Sequence, residues 1–127
     1  MSRPSSEILD LLRHGDRPAA EQLARTQGAL DIFEASALGA LEYLIERTEE
    51  DASCVNAYDA NGWTPLHLAA CYNNKACVKE LLRRGARCDV PSRNARPVTP
   101  LDLAVEHQHE EIALILRSAG VPNRKAP

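Results

Sequence analysis

The chain has 127 residues, of which 44% are hydrophobic, 26% charged and only 4% aromatic, and it carries a net charge of −3. It is too apolar for a disordered chain, has no general basic field for nucleic acid or an anionic membrane surface, and must build its core from Leu, Ala, Ile and Val, which suits thin, close-packed helices. No apolar run approaches the roughly 20 residues of a spanning helix, and Met1-Ser2-Arg3-Pro4-Ser5-Ser6 leads into an amphipathic segment without a signal-peptide core, so a cytoplasmic protein is expected.

The first periodic segment holds Ile8, Leu9, Leu11 and Leu12, then Gly15-Asp16, then Ala20, Leu23 and Ala24 before Gly28. It predicts a pair of short helices over 6–30. Arg13, Arg17, Glu21 and Arg25 give this pair a polar outer face, as the terminal unit of a stack requires. A second unit, 31–55, contains Asp31-Ile32-Phe33-Glu34-Ala35-Ser36-Ala37-Leu38-Gly39 in the same phase but lacks Thr-Pro, and Arg47 and Thr48 stand near where paired leucines are expected. The third, 56–88, carries Thr64-Pro65-Leu66-His67-Leu68-Ala69-Ala70, an apolar stripe of Cys77, Val78, Leu81 and Leu82, and Gly85 as helix terminator. The fourth, 89–121, repeats this as Thr99-Pro100-Leu101-Asp102-Leu103-Ala104, with Gly120 as terminator and Arg117 where the inner unit has a second Leu. Leu114 is expected to be exposed, Pro122 to stop the last helix, and 123–127 to form a loose tail.

Thr-Pro-Leu-x-Leu-Ala recurs at an offset of 35 residues, and the same offset relates Leu81 to Leu116 and Gly85 to Gly120. Thr64 and Thr99 are N-caps, each followed by Pro at the first helical position, and Thr99-x-x-Asp102 is a capping-box signature. Helices this short are marginal alone and must be held by their neighbours.

These residues resemble the ankyrin repeat, whose signature is Thr-Pro-Leu-His-x-Ala. Asp59-x-x-Gly62-x-Thr64-Pro65-Leu66-His67-Leu68-Ala69-Ala70, through Leu81-Leu82-x-x-Gly85-Ala86, matches almost throughout. In the fourth unit Pro97 replaces the loop Gly, Asp102 replaces the His, and two residues are inserted before Asn94. The likeness is strong over 56–121 and weaker over 6–121, and the runs Asp31-Ile32-Phe33-Glu34-Ala35 and Val55-Asn56-Ala57-Tyr58 are similar to those of bacterial members. The resemblance implies one all-α domain, a solenoid of about four stacked helix-turn-helix units with β-hairpin-like loops. It also implies a protein partner bound through loop tips and the concave helix face. Carried over by position, the outward residues are Ala60, Asn61, Trp63, Cys71 and Tyr72 in the third unit and Ala95, Arg96, Val98, Glu106 and His107 in the fourth, with Ala37 and Leu38 in the second. The expected partner surface is Asp59, Asn61, Trp63, Cys71, Tyr72, Arg93, Arg96, Val98, Glu106 and His107. Trp63 and Tyr72 are its anchors, because these residue types dominate interface energetics.

Other signals have plainer readings. His67 belongs to the turn of the resembling motif, where a structural role outweighs a Cys–His nucleophile built with Cys71. His107 and His109 are two apart, so on a helix they would diverge and not share a metal. The cysteines Cys54, Cys71, Cys77 and Cys88 show no metal or disulfide spacing and are expected as free thiols. Charge is uneven: Glu46 to Asp59 holds five acids against one Arg, and Arg83 to Pro97 five Arg against one Asp. The expected function is therefore a non-catalytic, monomeric protein–protein interaction module with no cofactor, metal, small-molecule substrate or membrane. The alternatives are a dedicated inhibitor of one enzyme and, more weakly, a nucleic-acid-associated protein using the Arg83–Arg96 patch.

Overall fold

The computed structural model describes residues 6–120. Its helices come in four pairs: α1 (Glu7–Arg13) with α2 (Arg17–Gln27), α3 (Ile32–Leu38) with α4 (Leu41–Glu50), α5 (Pro65–Cys71) with α6 (Lys75–Arg83), and α7 (Pro100–Glu106) with α8 (Glu110–Gly120). A 3-10 segment, Ala52–Asn56, follows α4. The inner helices α1, α3, α5 and α7 pack in sequence, and α4, α6 and α8 form a second row behind them. The result is an all-helical repeat solenoid.

The three inner helices after α1 start on one device. A side-chain oxygen of the N-cap residue accepts the backbone N–H three residues on, and the side chain there accepts the N-cap N–H. The pairs are Asp31 with Glu34 (2.8 and 3.1 Å), Thr64 with His67 (3.3 and 3.3 Å) and Thr99 with Asp102 (3.1 and 2.9 Å). The second unit thus lacks Thr-Pro but closes with an Asp-x-x-Glu box. Ser6 starts α1, accepting from Leu9 N–H at 3.2 Å and donating to the buried Glu34 carboxylate at 2.6 Å, which ties the first two units together.

Close packing of the row follows from small residues in register. Ala35, Ala69 and Ala104 are all fully buried, so neighbouring inner helices approach closely. Ile8, Leu44, Leu66, Leu81, Ile112 and Leu116 fill the space between rows. Carbonyls left over at the inner helix ends are capped by other units. Asn74 Nδ2 donates to Ser36 and Ala37 O (2.7 and 2.8 Å), Arg17 Nη2 to Leu38 O (2.9 Å), and His109 Nε2 to Cys71 O (3.0 Å).

Loops between units also bond one another. Asp59 N–H donates to Trp63 O at 2.8 Å, Gly62 N–H to Asp59 O at 3.0 Å, and Arg93 N–H reaches back to Gly62 O at 2.8 Å. Gly62 has φ of 83°, and an added Cβ would run into the Arg93 carbonyl. The two-residue insertion is absorbed around buried Ser92. Its N–H donates to Val98 O at 2.7 Å, and its Oγ accepts from Val98 N–H at 3.0 Å. No β-strand forms among the described residues, so the hairpin character implied by the resemblance is reduced to turns with few backbone bonds.

Three expectations need correction or limits. Ala37, expected to face outward, is 0% exposed, on a helix packed against α1, α4 and α5. Arg17, expected on a free outer face, is half-buried against Leu38 O. Leu114 is exposed at 62%, and Val105, which the sequence did not single out, at 51%. The Pro122 stop and the 123–127 tail lie outside the described residues. Among those described, no helix is long and apolar enough to cross a membrane.

Candidate partner-binding site

A groove of roughly 570 Å³ runs along the inner row. Leu12, Leu68 and Leu103, from three different units, are its buried floor, and half-buried Trp63 and Tyr72 are its walls. Trp63 is placed by the loop before α5. Its N–H donates to Asp59 Oδ1 at 2.9 Å, and its ring tilts against His67 at 5.6 Å. Beyond the indole lies a notch of about 300 Å³ lined by Arg96, Val98 and Glu106. Trp63 and Leu103 line both depressions, so one indole divides them.

His67 is fully buried beneath this wall. Its Nε2 lies 2.7 Å from Val98 O, which can only accept, so Nε2 carries the proton. Nδ1 then accepts from Thr64 Oγ at 2.7 Å and Thr64 N–H at 3.3 Å. Burial pushes its pKa down, against the raising effects of the Val98 bond and of Asp59 and Asp102. The imidazole joins two units and has no free nitrogen for catalysis.

Cys71, Tyr72 and His107 meet at the far end of α5. Cys71 Sγ lies 3.6 Å from His107 Nε2. Burial, aided by Glu106, pushes the Cys71 thiol up to about 11, so it stays protonated near neutral pH and is not an activated nucleophile. Burial likewise raises Tyr72 to about 12, with Cys71 adding to the effect and Arg13 and Arg17 opposing it. The expected divergence of His107 and His109 is corrected. α7 ends at Glu106, Gln108 adopts φ of 62°, and the two rings stack at 5.9 Å. No group of three or more His, Cys, Asp or Glu able to hold a metal occurs among the described residues.

The ten anticipated contact residues fall into three sets. Trp63, Cys71, Tyr72 and His107 share the groove, and Trp63, Arg96, Val98 and Glu106 share the notch. Asp59, Asn61 and Arg93 build the loop tip. Asp59 Oδ1 holds the Asn61 and Trp63 N–H groups at 2.9 Å each, Asn61 O accepts from Asn94 at 3.2 Å, and the Arg93 guanidinium lies 4.0 Å over the Tyr58 ring. Of the basic patch, Arg83 and Arg84 pair with Glu80 at 2.6 and 2.5 Å, and Arg87 sits 3.8 Å from Asp89. Arg96 makes no ion pair among the described residues. Sequence reasoning missed Leu12 and Arg13 in the groove. Arg13, expected on the polar outer face of the first unit, instead lines the inner groove, because that unit shares only the phase of the repeat and phase alone does not tell its faces apart.

Paired helices in two rows, with a groove along the inner row and loops bonded side by side, define a helical repeat scaffold. The chain belongs to the ankyrin-repeat family: the family model for ankyrin repeats, in three copies, matches residues 32–126. It is 41% identical over 68 residues to SMC5-SMC6 complex localization factor protein 1 of Bos taurus, covering 54% of this chain and 6% of that protein. Ankyrin repeat and IBR domain-containing protein 1 of Mus musculus is 36% identical over 63% of this chain and 7% of its own length. E3 ubiquitin-protein ligase Ufd4 of Drosophila melanogaster is 33% identical over 93% of this chain and 5% of its own length. The chain thus spans a small fraction of these relatives, and its likeness is to their ankyrin portions. Ankyrin repeats in general mediate protein–protein interaction.

Proposed function

We propose that this chain is a non-catalytic interaction module that docks a protein partner across the groove and notch. The observation that carries this is the position of Trp63, a half-buried indole forming the shared wall of two depressions. An aromatic anchor in a pocket with charged residues around it is the arrangement from which interface hot spots are made. The same reading treats 6–30 as a capping unit and 31–55, 56–88 and 89–121 as repeats of one domain, acting as a monomer in the cytoplasm.

The experiment is capture of a native partner by the chain and its variants. Trp63→Ala and Tyr72→Ala are each expected to weaken capture by about 2 kcal/mol. Lys79→Glu, on the exposed face of α6, should leave it unchanged. Weakening by the Lys79 change alone would put the partner on the opposite face and end this reading.

A further inference from the structure

We infer that the groove recognises a partner segment in which an acidic side chain lies close to a bulky apolar one. This rests on the docking reading above and names the chemistry of what docks. The groove has two unlike ends. Its middle is apolar, with Leu68 and Leu103 buried beneath the Trp63 wall. The end formed by the close of α1 is rich in donors. Arg13 and the Tyr72 phenol both line the groove there.

Among the described residues no Asp or Glu lines this groove. Asp10 pairs with Arg13 Nη2 at 2.5 Å, which engages one edge of that guanidinium, and Glu106 faces the groove only from the side of Cys71. Among the described residues, Nε and Nη1 of Arg13 make no hydrogen bond and are left as donors to the groove. The Tyr72 hydroxyl and the Trp63 indole N–H make no hydrogen bond among the described residues. A phenol is protonated, and thus a donor, at neutral pH, and burial raises the Tyr72 pKa further still.

A purely apolar ligand would strip water from these donors and leave them unpaired, which is costly. A Lys or Arg side chain would bring more donors to them. A carboxylate accepts from guanidinium and phenol together, in short charge-assisted bonds. In the notch beyond Trp63 the signs are mixed, since Arg96 and Glu106 both line it. The preference for an acid therefore belongs to the Arg13–Tyr72 end.

Trp63 is the chain's one Trp, so its fluorescence reports on the groove directly. The probes are short capped peptides with a Leu or Phe flanked by Glu, by Gln or by Lys. The Glu peptide is expected to change Trp63 emission saturably, with the Lys peptide roughly tenfold weaker or worse. Arg13→Glu should reverse that order, and Tyr72→Phe, which keeps the ring, should narrow the preference for Glu. Circular dichroism checks that each variant is folded. Equal or tighter binding of the Gln or Lys peptide overturns the inference, as does no binding by any of the three. Capture by Trp63→Ala separately decides the docking reading: lost capture with no acid preference leaves a docking groove of different chemistry, and unchanged capture removes both.

Discussion

His67 and Val98, 31 residues apart, are joined by a buried hydrogen bond of 2.7 Å from imidazole Nε2 to backbone carbonyl. The bond crosses from the first inner helix of the third unit to the loop of the fourth, and it fixes the floor under Trp63. His67→Ala should cost roughly 1–3 kcal/mol, because it leaves the buried Thr64 N–H without its acceptor and takes from the Val98 carbonyl one of its two donors, the other being Ser92 N–H. Thermal melts of the two proteins at neutral pH check this.

The same imidazole sets a pH dependence. Burial lowers its folded pKa below the ordinary value of 6.5. The unfolded chain therefore takes up a proton on this group before the folded chain does. Its stabilising contribution is whole above about pH 6.5, shrinks as pH falls below that value, and is gone below the folded pKa. Between about pH 7 and 5 the wild-type melting temperature should fall more steeply than that of His67→Ala. Parallel slopes would remove His67 as the cause.

Gly62→Ala should be among the most damaging single changes in the loops. The position needs a left-handed φ, and the new Cβ would collide with Arg93 backbone, so the neighbouring loop must move. A loss of about 1–3 kcal/mol is expected, with amide shifts spreading to residues 92–98 in NMR spectra.

Burial separates two leucines that look alike in sequence. Leu81→Ala opens a void between the helix rows and should cost roughly 2–5 kcal/mol, whereas Leu114→Ala, at 62% exposure, should stay within about 0.5 kcal/mol. Urea melts distinguish them.

All four thiols are free, and burial raises each of them. Cys77, buried and pushed up to about 11, should react with a maleimide only on unfolding. Half-buried Cys54 and Cys88 should label first. Mass spectrometry of the time course gives the order, and early labelling of Cys77 would mean that α6 opens locally.

Arg96→Glu should act on rate more than on lifetime. Arg96 is exposed and makes no ion pair among the described residues, so reversal removes steering without disturbing the fold. Slower association with a captured acidic partner, and a weaker response to salt, are expected by surface plasmon resonance.

By itself the sequence determined the repeat, its period and its caps. Those features are local: a Thr or Asp that caps, a Pro at the first helical position, a Gly at the end, and apolar spacing that makes one face of a helix. Each acts within a few residues and reads the same in any context. The third and fourth units were legible because they keep Thr-Pro-Leu, and the second was obscured because Asp31 and Glu34 make the same box from different residues and Arg47 and Thr48 stand near the place of the paired leucines. Tertiary packing decided where the surface is. Ala37 and Arg17 could not be placed from their periodicity, because the helices around α3 bury one and Leu38 O holds the other. Leu12 and Arg13 entered the groove through the packing of the first unit, and His107 met His109 because α7 ends at Glu106 and Gln108, between them, is left-handed. A face is a property of two elements in contact, and contact between units 30 or more residues apart is set by how the whole stack closes, which no local pattern encodes.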